Sequence, residues 1–215
     1  MNPATIGAFV VAGLFATGDW IAKARSRMAL EYLCKPATLI ALIVAAGLLD
    51  PGADAHTRRV WFVAALICSL TGDVLLMLPE DLFVPGLAAF LVGHLCYLAG
   101  FWTQAPSLIA LVVSAAVVAA VVAPLGHRIL TSIARAAEPG ALRIAVAAYV
   151  AVISAMLATA LATGNLAAGA GAVLFVASDA MIAWDRFVRR FRWAPVAIMV
   201  TYHLGQAGLV ASLLH

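Results

Sequence analysis

The sequence predicts an all-α, polytopic membrane protein in which eight transmembrane helices form one bundle. First, 65% of its 215 residues are hydrophobic and 11% are charged, whereas a soluble globular domain carries about 25% charged residues. Second, the apolar residues fall into eight segments, and about 20 residues are needed to cross the hydrocarbon core of a bilayer. These segments fill nearly the whole chain, so we expect a single integral membrane domain over residues 1–215.

The predicted helices occupy residues 4–21, 36–49, 60–78, 83–101, 107–126, 142–162, 166–184 and 195–214. The first has no basic residues before it and no clear small-residue cleavage site, which favours a retained helix over a signal peptide. The second, taken to begin at Pro36, is shorter than a full crossing requires. The small residues at 164–173 favour close helix packing.

Basic residues indicate the orientation of the bundle. Of the 13 Lys and Arg residues, only Arg58 and Arg59 fall outside the odd-numbered loops and their flanks. Because basic loops stay on the cytoplasmic side, we expect both termini outside the cytoplasm, in a bacterial inner membrane. The segment FVRRFRW at 187–193 is interpreted as an anchor of this kind, and nothing indicates nucleic-acid binding.

Two aspartates stand inside otherwise uncharged apolar runs. Asp73 lies within Val60–Leu78 and Asp179 within Leu166–Trp184. A charged side chain at membrane depth costs roughly 2.5–3.5 kcal/mol on insertion scales and is usually functional. Each aspartate precedes the cytoplasmic end of its segment by a similar number of residues, which places both roughly 8 Å inside that boundary. We therefore interpret them as a functional pair.

Other polar side chains are predicted near the same layer. Tyr149 and Tyr202 enter their helices from the cytoplasmic side and lie at roughly 10 Å. Lys35 stands at the inner mouth of the second helix, and His94 is closer to mid-membrane. The polar groups thus converge on the cytoplasmic leaflet.

Helical spacing adds three residues to this group. Tyr97 shares a helix face with His94, Gln206 follows Tyr202 by one turn, and Ser178 directly precedes one of the aspartates. A Tyr–Gln pair in a cavity can bind a substrate oxygen, although it can equally join two helices.

The order of the polar residues suggests two parallel four-helix repeats. The matched pairs are Lys35 with Arg143, Asp73 with Asp179, and His94 with His203. Repeats of an even number of helices are related by an axis along the membrane normal. The surrounding residues share little identity, so the similar separations are the only argument for this repeat.

Paired carboxylates in one cavity can act as acid and base when their environments differ. They can also pair with Lys35 or with neighbouring polar side chains merely to fix helix packing. A metal site is not expected, because no HxxxH or HxxE pattern is present. The three cysteines are interpreted as packing residues.

Several sequence motifs, occurring in the same order, make the chain similar to the YhhN-like family of membrane proteins. The characterised members of that family are lysoplasmalogenases. These motifs are CKP at 34–36, GDVLLML at 72–78, FVPGLAAFLVGHLCY at 83–97, GAVLFVASDAMIA at 171–183 and YHLGQ at 202–206. The resemblance implies hydrolysis of the vinyl ether bond of a lysoplasmalogen, yielding a fatty aldehyde and a glycerophospho-amine.

The resemblance also implies roles for particular residues. It places catalysis at Asp73 and Asp179, and the expected substrate-binding residues are Lys35, His94, Tyr97, Tyr149, Ser178, Tyr202 and Gln206. One aspartate would protonate the vinyl ether while the other stabilises the resulting cation, and Lys35 would hold the lipid phosphate. Expected partners are a lysophospholipid from the cytoplasmic leaflet, water and membrane lipids, without a cofactor.

Three other functions compete with this hypothesis. A small proton-coupled transporter would also use intramembrane carboxylates, but transporter sites lie near the midplane. An intramembrane aspartyl protease is suggested by TGD at 71–73, yet Leu70 stands where that family has glycine. The third alternative is a structural or lipid-binding protein.

Overall fold

The computed structural model describes residues 1–49, 52, 55–136 and 139–214. Over these residues the chain forms α1 Pro3–Ala24, α2 Met28–Leu48, α3 His56–Met77, α4 Phe83–Trp102, α5 Leu108–Arg135, α6 Gly140–Ala162, α7 Leu166–Phe187 and α8 Ala194–Ala211, followed by a 3-10 turn, Ser212–Leu214. Eight described helices are long and apolar enough to cross a membrane. The predicted all-α bundle of eight spans is confirmed, and the chain is an integral membrane protein.

Local capping explains where several helices begin. The side chains of Asn2, Ser107 and Asn165 accept backbone N–H groups from the first turns of α1, α5 and α7. Such caps satisfy donors that have no partner within the helix. In α8, Pro195 lies in the first turn, where its missing N–H breaks no hydrogen bond.

Helix α2 is longer than the sequence suggested. The predicted segment began at Pro36, but the helix begins at Met28 and has 21 residues, so the predicted short crossing was wrong. The apolar run is interrupted by Glu31 and Lys35, and both charges are paired: Glu31 with Lys23 at 2.5 Å and Lys35 with Asp73 at 3.0 Å. Pro36 lies inside the helix, where it removes one backbone donor.

Helix α5 lies at the edge of the bundle. It has 28 residues, extends beyond the predicted end at residue 126, and contains Pro124. Its neighbours are chiefly α6 and, to a smaller extent, α7. Large apolar side chains such as Leu108, Ile109 and Val121 are more than two-thirds exposed, as expected for a helix that faces lipid.

Apart from α4 and α5, helices that follow one another in the chain pack closely together, and four further contacts close the bundle. These contacts join α1 with α8, α2 with α8, α4 with α6, and α5 with α7. An axis that exchanges the first four helices with the last four relates the α4–α6 contact to the α8–α2 contact. The α1–α8 and α5–α7 contacts have no counterparts of similar extent among the described residues, so the parallel repeat stays a prediction.

Glycines allow the closest helix approach, between α7 and α8. A Cβ atom added to Gly171 would lie 2.7 Å from the backbone nitrogen of Leu209, and one added to Gly205 would lie 2.9 Å from the backbone nitrogen of Phe175. Backbone atoms cannot move aside as a side chain can, so even one methyl group is excluded. The predicted packing role of the small residues at 164–173 is confirmed at Gly171.

We expect Gly171→Ala to destabilise the protein by about 1–3 kcal/mol, the usual range for overpacking in a closely packed interior. Thermal unfolding in detergent measures the effect. Gly13→Ala is the matched control, because a Cβ atom there meets nothing within 4 Å. Equal melting temperatures for the two variants would contradict the close α7–α8 contact.

Candidate active site

Asp73 on α3 is buried and receives two donors. Its Oδ1 lies 3.0 Å from the Lys35 ammonium, and its Oδ2 accepts a hydrogen bond of 2.7 Å from the Tyr202 hydroxyl. Gln206 donates to that hydroxyl at 3.4 Å and accepts from Tyr97 at 2.5 Å. The ion pair and the hydrogen bond both favour the ionised form of Asp73 and so oppose the cost of burying its charge.

Asp179 on α7 has a different environment. Its Oδ2 accepts a 2.6 Å hydrogen bond from the Tyr149 hydroxyl and lies 3.2 Å from His94 Nε2. The Tyr149 hydroxyl donates its one proton to Asp179, so its oxygen accepts the 2.9 Å hydrogen bond from His94 Nε2. This network assigns the proton of a neutral His94 to Nε2 and leaves Nδ1 as an acceptor.

The second oxygen of Asp179 lacks a strong donor. Oδ1 lies 3.5 Å from the Ser178 hydroxyl, which donates its proton to the Phe175 carbonyl at 2.8 Å. The Asp179 side chain is 13% exposed, whereas that of Asp73 is 2% exposed. Asp179 therefore has an oxygen on which a proton can reside, while both oxygens of Asp73 are occupied.

Aromatic rings separate the two carboxylates. The Phe175 ring packs 4.7 Å from His94 and 5.3 Å from Tyr202, measured between ring centroids. Phe90 packs edge-on against Tyr202 at 5.9 Å. Within the described part of the chain, no hydrogen bond joins the Asp73 network to the Asp179 network. The two aspartates thus belong to neighbouring but separate sites.

An apolar pocket reaches only one of these sites. Its walls come from the ends of α3, α4, α5, α6 and α7 that lie on the side of the basic loops. Of the side chains lining this pocket, Asp179 and Tyr149 alone carry polar groups. Phe90 forms part of the wall, and Asp73 lies behind it. The Asp179 carboxyl and the Tyr149 hydroxyl thus face an otherwise apolar lining.

A basic groove adjoins this pocket. It shares Leu125 and Ala180 with the pocket wall, and its other residues are Met181, Trp184, Arg189, Arg190, Phe191, Arg192 and Trp193. The Asp185 carboxylate accepts the Phe191 backbone N–H at 2.9 Å, which folds the loop back toward α7. Arg128 packs over Trp184 at 4.9 Å.

A second pair of charges lies beside the pocket. Arg186 donates to both carboxylate oxygens of the exposed Asp81, at 2.9 and 3.2 Å. This hydrogen bonding holds the pKa of Asp81 below its ordinary value. The Arg186 guanidinium also packs 4.1 Å from the centre of the Phe83 ring in the pocket wall.

All nine predicted site residues lie in the two networks, but some positions differ from the prediction. Lys35 is buried beside Asp73 and does not stand at an open mouth. Helix α7 continues to Phe187, so Asp179 lies about two turns from its end while Asp73 lies about one turn from the end of α3.

The structure also corrects the repeat. His94 on α4 contacts Asp179 on α7, and Tyr202 on α8 contacts Asp73 on α3. The equivalent of His94 is therefore Tyr202, one residue before the predicted His203. Arg143, the predicted equivalent of Lys35, is exposed. The order of polar residues in the sequence could not reveal this shift of one residue. The rotation of each helix about its axis decides which residue faces the centre of the bundle.

Sequence reasoning missed a third intramembrane acid, Asp19 on α1. It is completely buried, and neither of its carboxyl oxygens has a hydrogen-bond partner. The available signal was its position inside the first apolar segment, one turn before Lys23.

Comparison with known proteins places these residues in a family. The YhhN family model matches residues 30–213. The human protein named lysoplasmalogenase TMEM86B is 38% identical over 152 residues, which cover 70% of this chain and 62% of the human protein. The pig protein of the same name is 34% identical over 81% of this chain and 71% of its own length. No solved structure matches the chain.

A mycobacterial relative extends the comparison to bacteria. The Mycobacterium bovis protein named lysoplasmalogenase is 38% identical over 160 residues, covering 71% of this chain and 58% of its own length. The matched region thus spans less than two thirds of both the human and the mycobacterial relative.

We expect Asp73→Asn to destabilise the fold by about 3–5 kcal/mol, because the buried Lys35 ammonium would lose its counter-ion. Thermal unfolding of the purified protein measures the change. The double variant Lys35→Met with Asp73→Asn should recover much of the stability, and Asp81→Asn at the exposed pair serves as the control. A double variant no more stable than Asp73→Asn would show that the ion pair is not the cause.

Proposed function

The chain belongs to the YhhN family, and from this premise we propose that it hydrolyses the vinyl ether bond of a lysoplasmalogen-type lysophospholipid. The products are a fatty aldehyde and a glycerophospho-amine. Relatives in human, pig and mycobacteria carry the name lysoplasmalogenase. The observation that carries the mechanism is that Asp179 and Tyr149 supply the polar groups of an otherwise apolar pocket.

The proposed reaction begins with protonated Asp179. Its proton adds to the β-carbon of the vinyl ether, and the π electrons of the double bond form the new C–H bond. The oxygen lone pair stabilises the adjacent carbon as an oxocarbenium ion. Tyr149 and His94 hold Oδ2 by hydrogen bonds, which leaves Oδ1 free to carry the proton.

Water completes the cycle. It attacks the oxocarbenium carbon and gives a proton to the Asp179 carboxylate, which restores the acid. In the resulting hemiacetal the C–O bond to glycerol breaks while the hydroxyl proton passes to the glycerol oxygen, so an aldehyde and an alcohol form. We propose that Asp73, anionic beside Lys35, contributes a fixed negative potential that stabilises the cationic intermediate. Asp179 is then the acid and Asp73 the electrostatic partner.

The lipid phosphate needs a cationic site, and Lys35 is already paired. We propose the basic groove for this role, since it shares wall residues with the pocket. Within the described residues, no carboxylate forms a salt bridge with Arg189, Arg190 or Arg192. Arginine binds phosphate oxygens through its planar set of donors. An alkenyl chain in the pocket would direct its head group toward these residues.

The distribution of basic residues supports an orientation as well. The arginine-rich ends of the helices would face the cytoplasm, with both termini on the other side. The lysolipid would then enter from the cytoplasmic leaflet. Labelling of single cysteines introduced at residue 2 and at residue 190 from each side of sealed vesicles tests this orientation.

Hydrolysis is tested with purified protein and a vinyl ether lysophospholipid, using its acyl counterpart as the control substrate. We expect aldehyde release from the vinyl ether alone. Asp179→Asn should lower kcat by about 10²–10⁴-fold, the usual contribution of general acid catalysis, and Tyr149→Phe should lower it less. Full activity of Asp179→Asn would refute the mechanism. Proton-coupled flux without aldehyde would instead favour the transporter.

The phosphate role is tested by replacing Arg189, Arg190 and Arg192 together with Gln. We expect KM for the lysophospholipid to rise roughly tenfold, equivalent to about 1.4 kcal/mol, with little change in kcat. A phosphate-free alkenyl glycerol should be cleaved with an unchanged KM. Arg25→Gln with Arg27→Gln is the matched control from the same side of the membrane. An equal rise in KM for both substrates would exclude a phosphate contact.

A further inference from the structure

Asp19 is a buried acid that the proposed reaction does not use. It lies on α1, its exposure is 0%, and neither carboxyl oxygen accepts a hydrogen bond from the described residues. Nearly all buried polar groups in proteins have a partner, and an unpaired carboxylate at membrane depth is costly. The Asp19 side chain is therefore expected either to be a neutral carboxylic acid or to contact a bound ligand.

The charged groups around Asp19 form a row. On α1, Lys23 follows Asp19 by one turn, and on α2, Lys35 follows Glu31 by one turn, so each pair shares a helix face. Lys23 and Glu31 form an ion pair at 2.5 Å, with 24% and 15% of their side chains exposed.

Helix α8 contributes a neutral group to this region. The Trp20 indole N–H donates to His203 Nδ1 at 3.2 Å, so the proton of a neutral His203 lies on Nε2. This Nε2 is buried, and none of the described residues accepts from it. The thiol of Cys34, on α2, packs against Gly18. The row thus runs from the exposed Lys23–Glu31 pair, past Asp19, to the buried Lys35–Asp73 pair.

Donor contacts distinguish the two carboxyl groups near Lys35. Asp73 receives the Lys35 ammonium and the Tyr202 hydroxyl, whereas Asp19 receives no donor. One ammonium can neutralise one carboxylate, so a second anion there would be an uncompensated buried charge. We propose that Asp19 is a neutral carboxylic acid that stores a proton beside the Lys35–Asp73 pair and exchanges it with the cytoplasmic surface through Lys23 and Glu31.

The stored proton can move without leaving an isolated charge. When the O–H bond of Asp19 breaks and one forms on Asp73, the Lys35 ammonium changes its counter-ion from Asp73 to Asp19. The net charge of the three groups stays the same throughout. Asp73 can therefore be protonated from the cytoplasmic end of α1. This inference does not depend on which lipid, if any, the protein cleaves.

Infrared spectroscopy of the purified protein tests the protonation directly. At neutral pH we expect a C=O stretching band of a buried, protonated carboxyl group that shifts in D₂O and is lost in Asp19→Asn. We expect the Asp179 carboxyl group to give a second C=O band, which is lost in Asp179→Asn. Asp81→Asn should change neither band. Retention of every protonated-carboxyl component in Asp19→Asn would overturn the proposal.

Stability gives a second, independent test. Asp19→Asn replaces a neutral acid by a neutral amide, so its melting temperature should equal that of the unsubstituted protein, whereas Asp73→Asn should melt lower. A loss in Asp19→Asn as large as that in Asp73→Asn would show an ionised Asp19 and refute the proposal. Asp19→Glu, which keeps the acid, should retain the infrared band.

The route to the surface is tested by the rate at which the Asp19 band exchanges hydrogen for deuterium. We expect Lys23→Gln with Glu31→Gln to slow this exchange at least severalfold, and Arg25→Gln, beside the row, to leave it unchanged. An unchanged rate in the double variant would refute the exchange route.

Discussion

The ion pair between Lys35 and Asp73 is the interaction on which the rest of the structure depends. It neutralises the Lys35 ammonium, which directly precedes Pro36 in α2. The helix can therefore include the residues before Pro36 and span the membrane at full length. The ion pair also fixes α2 against α3, and the same carboxylate holds α8 through Tyr202. Helices α2, α3 and the distant α8 thus meet at one carboxyl group, which is costly to bury alone.

The donors around each carboxyl group separate the roles of the three intramembrane acids. Asp73 has a donor at each oxygen, Asp179 has strong donors at one oxygen, and Asp19 has none. The donors in the first environment stabilise an anion. Of the three acids, Asp179 is the one that lines the apolar pocket.

Much of the fold was predictable, because membrane spans are set by local apolar runs and by caps such as Asn165. The site residues were predictable because ionisable groups in such runs are conspicuous. The start of α2 was not predictable, because the charge of Lys35 is neutralised by Asp73, which lies on the next helix. Asp19 was overlooked because it stands one turn from Lys23, and the repeat was misaligned by one residue because Tyr202, not His203, faces the centre.

By itself, the sequence determined the all-helical membrane bundle, its bias of basic residues toward one side and the identities of Asp73 and Asp179, because these depend on composition and on spacing within single segments. Only the tertiary structure decided which groups surround each aspartate, which of them the apolar pocket reaches and that Asp19 is buried without a donor. Those properties depend on how helices rotate and pack against one another, and side chains far apart in the chain determine that packing.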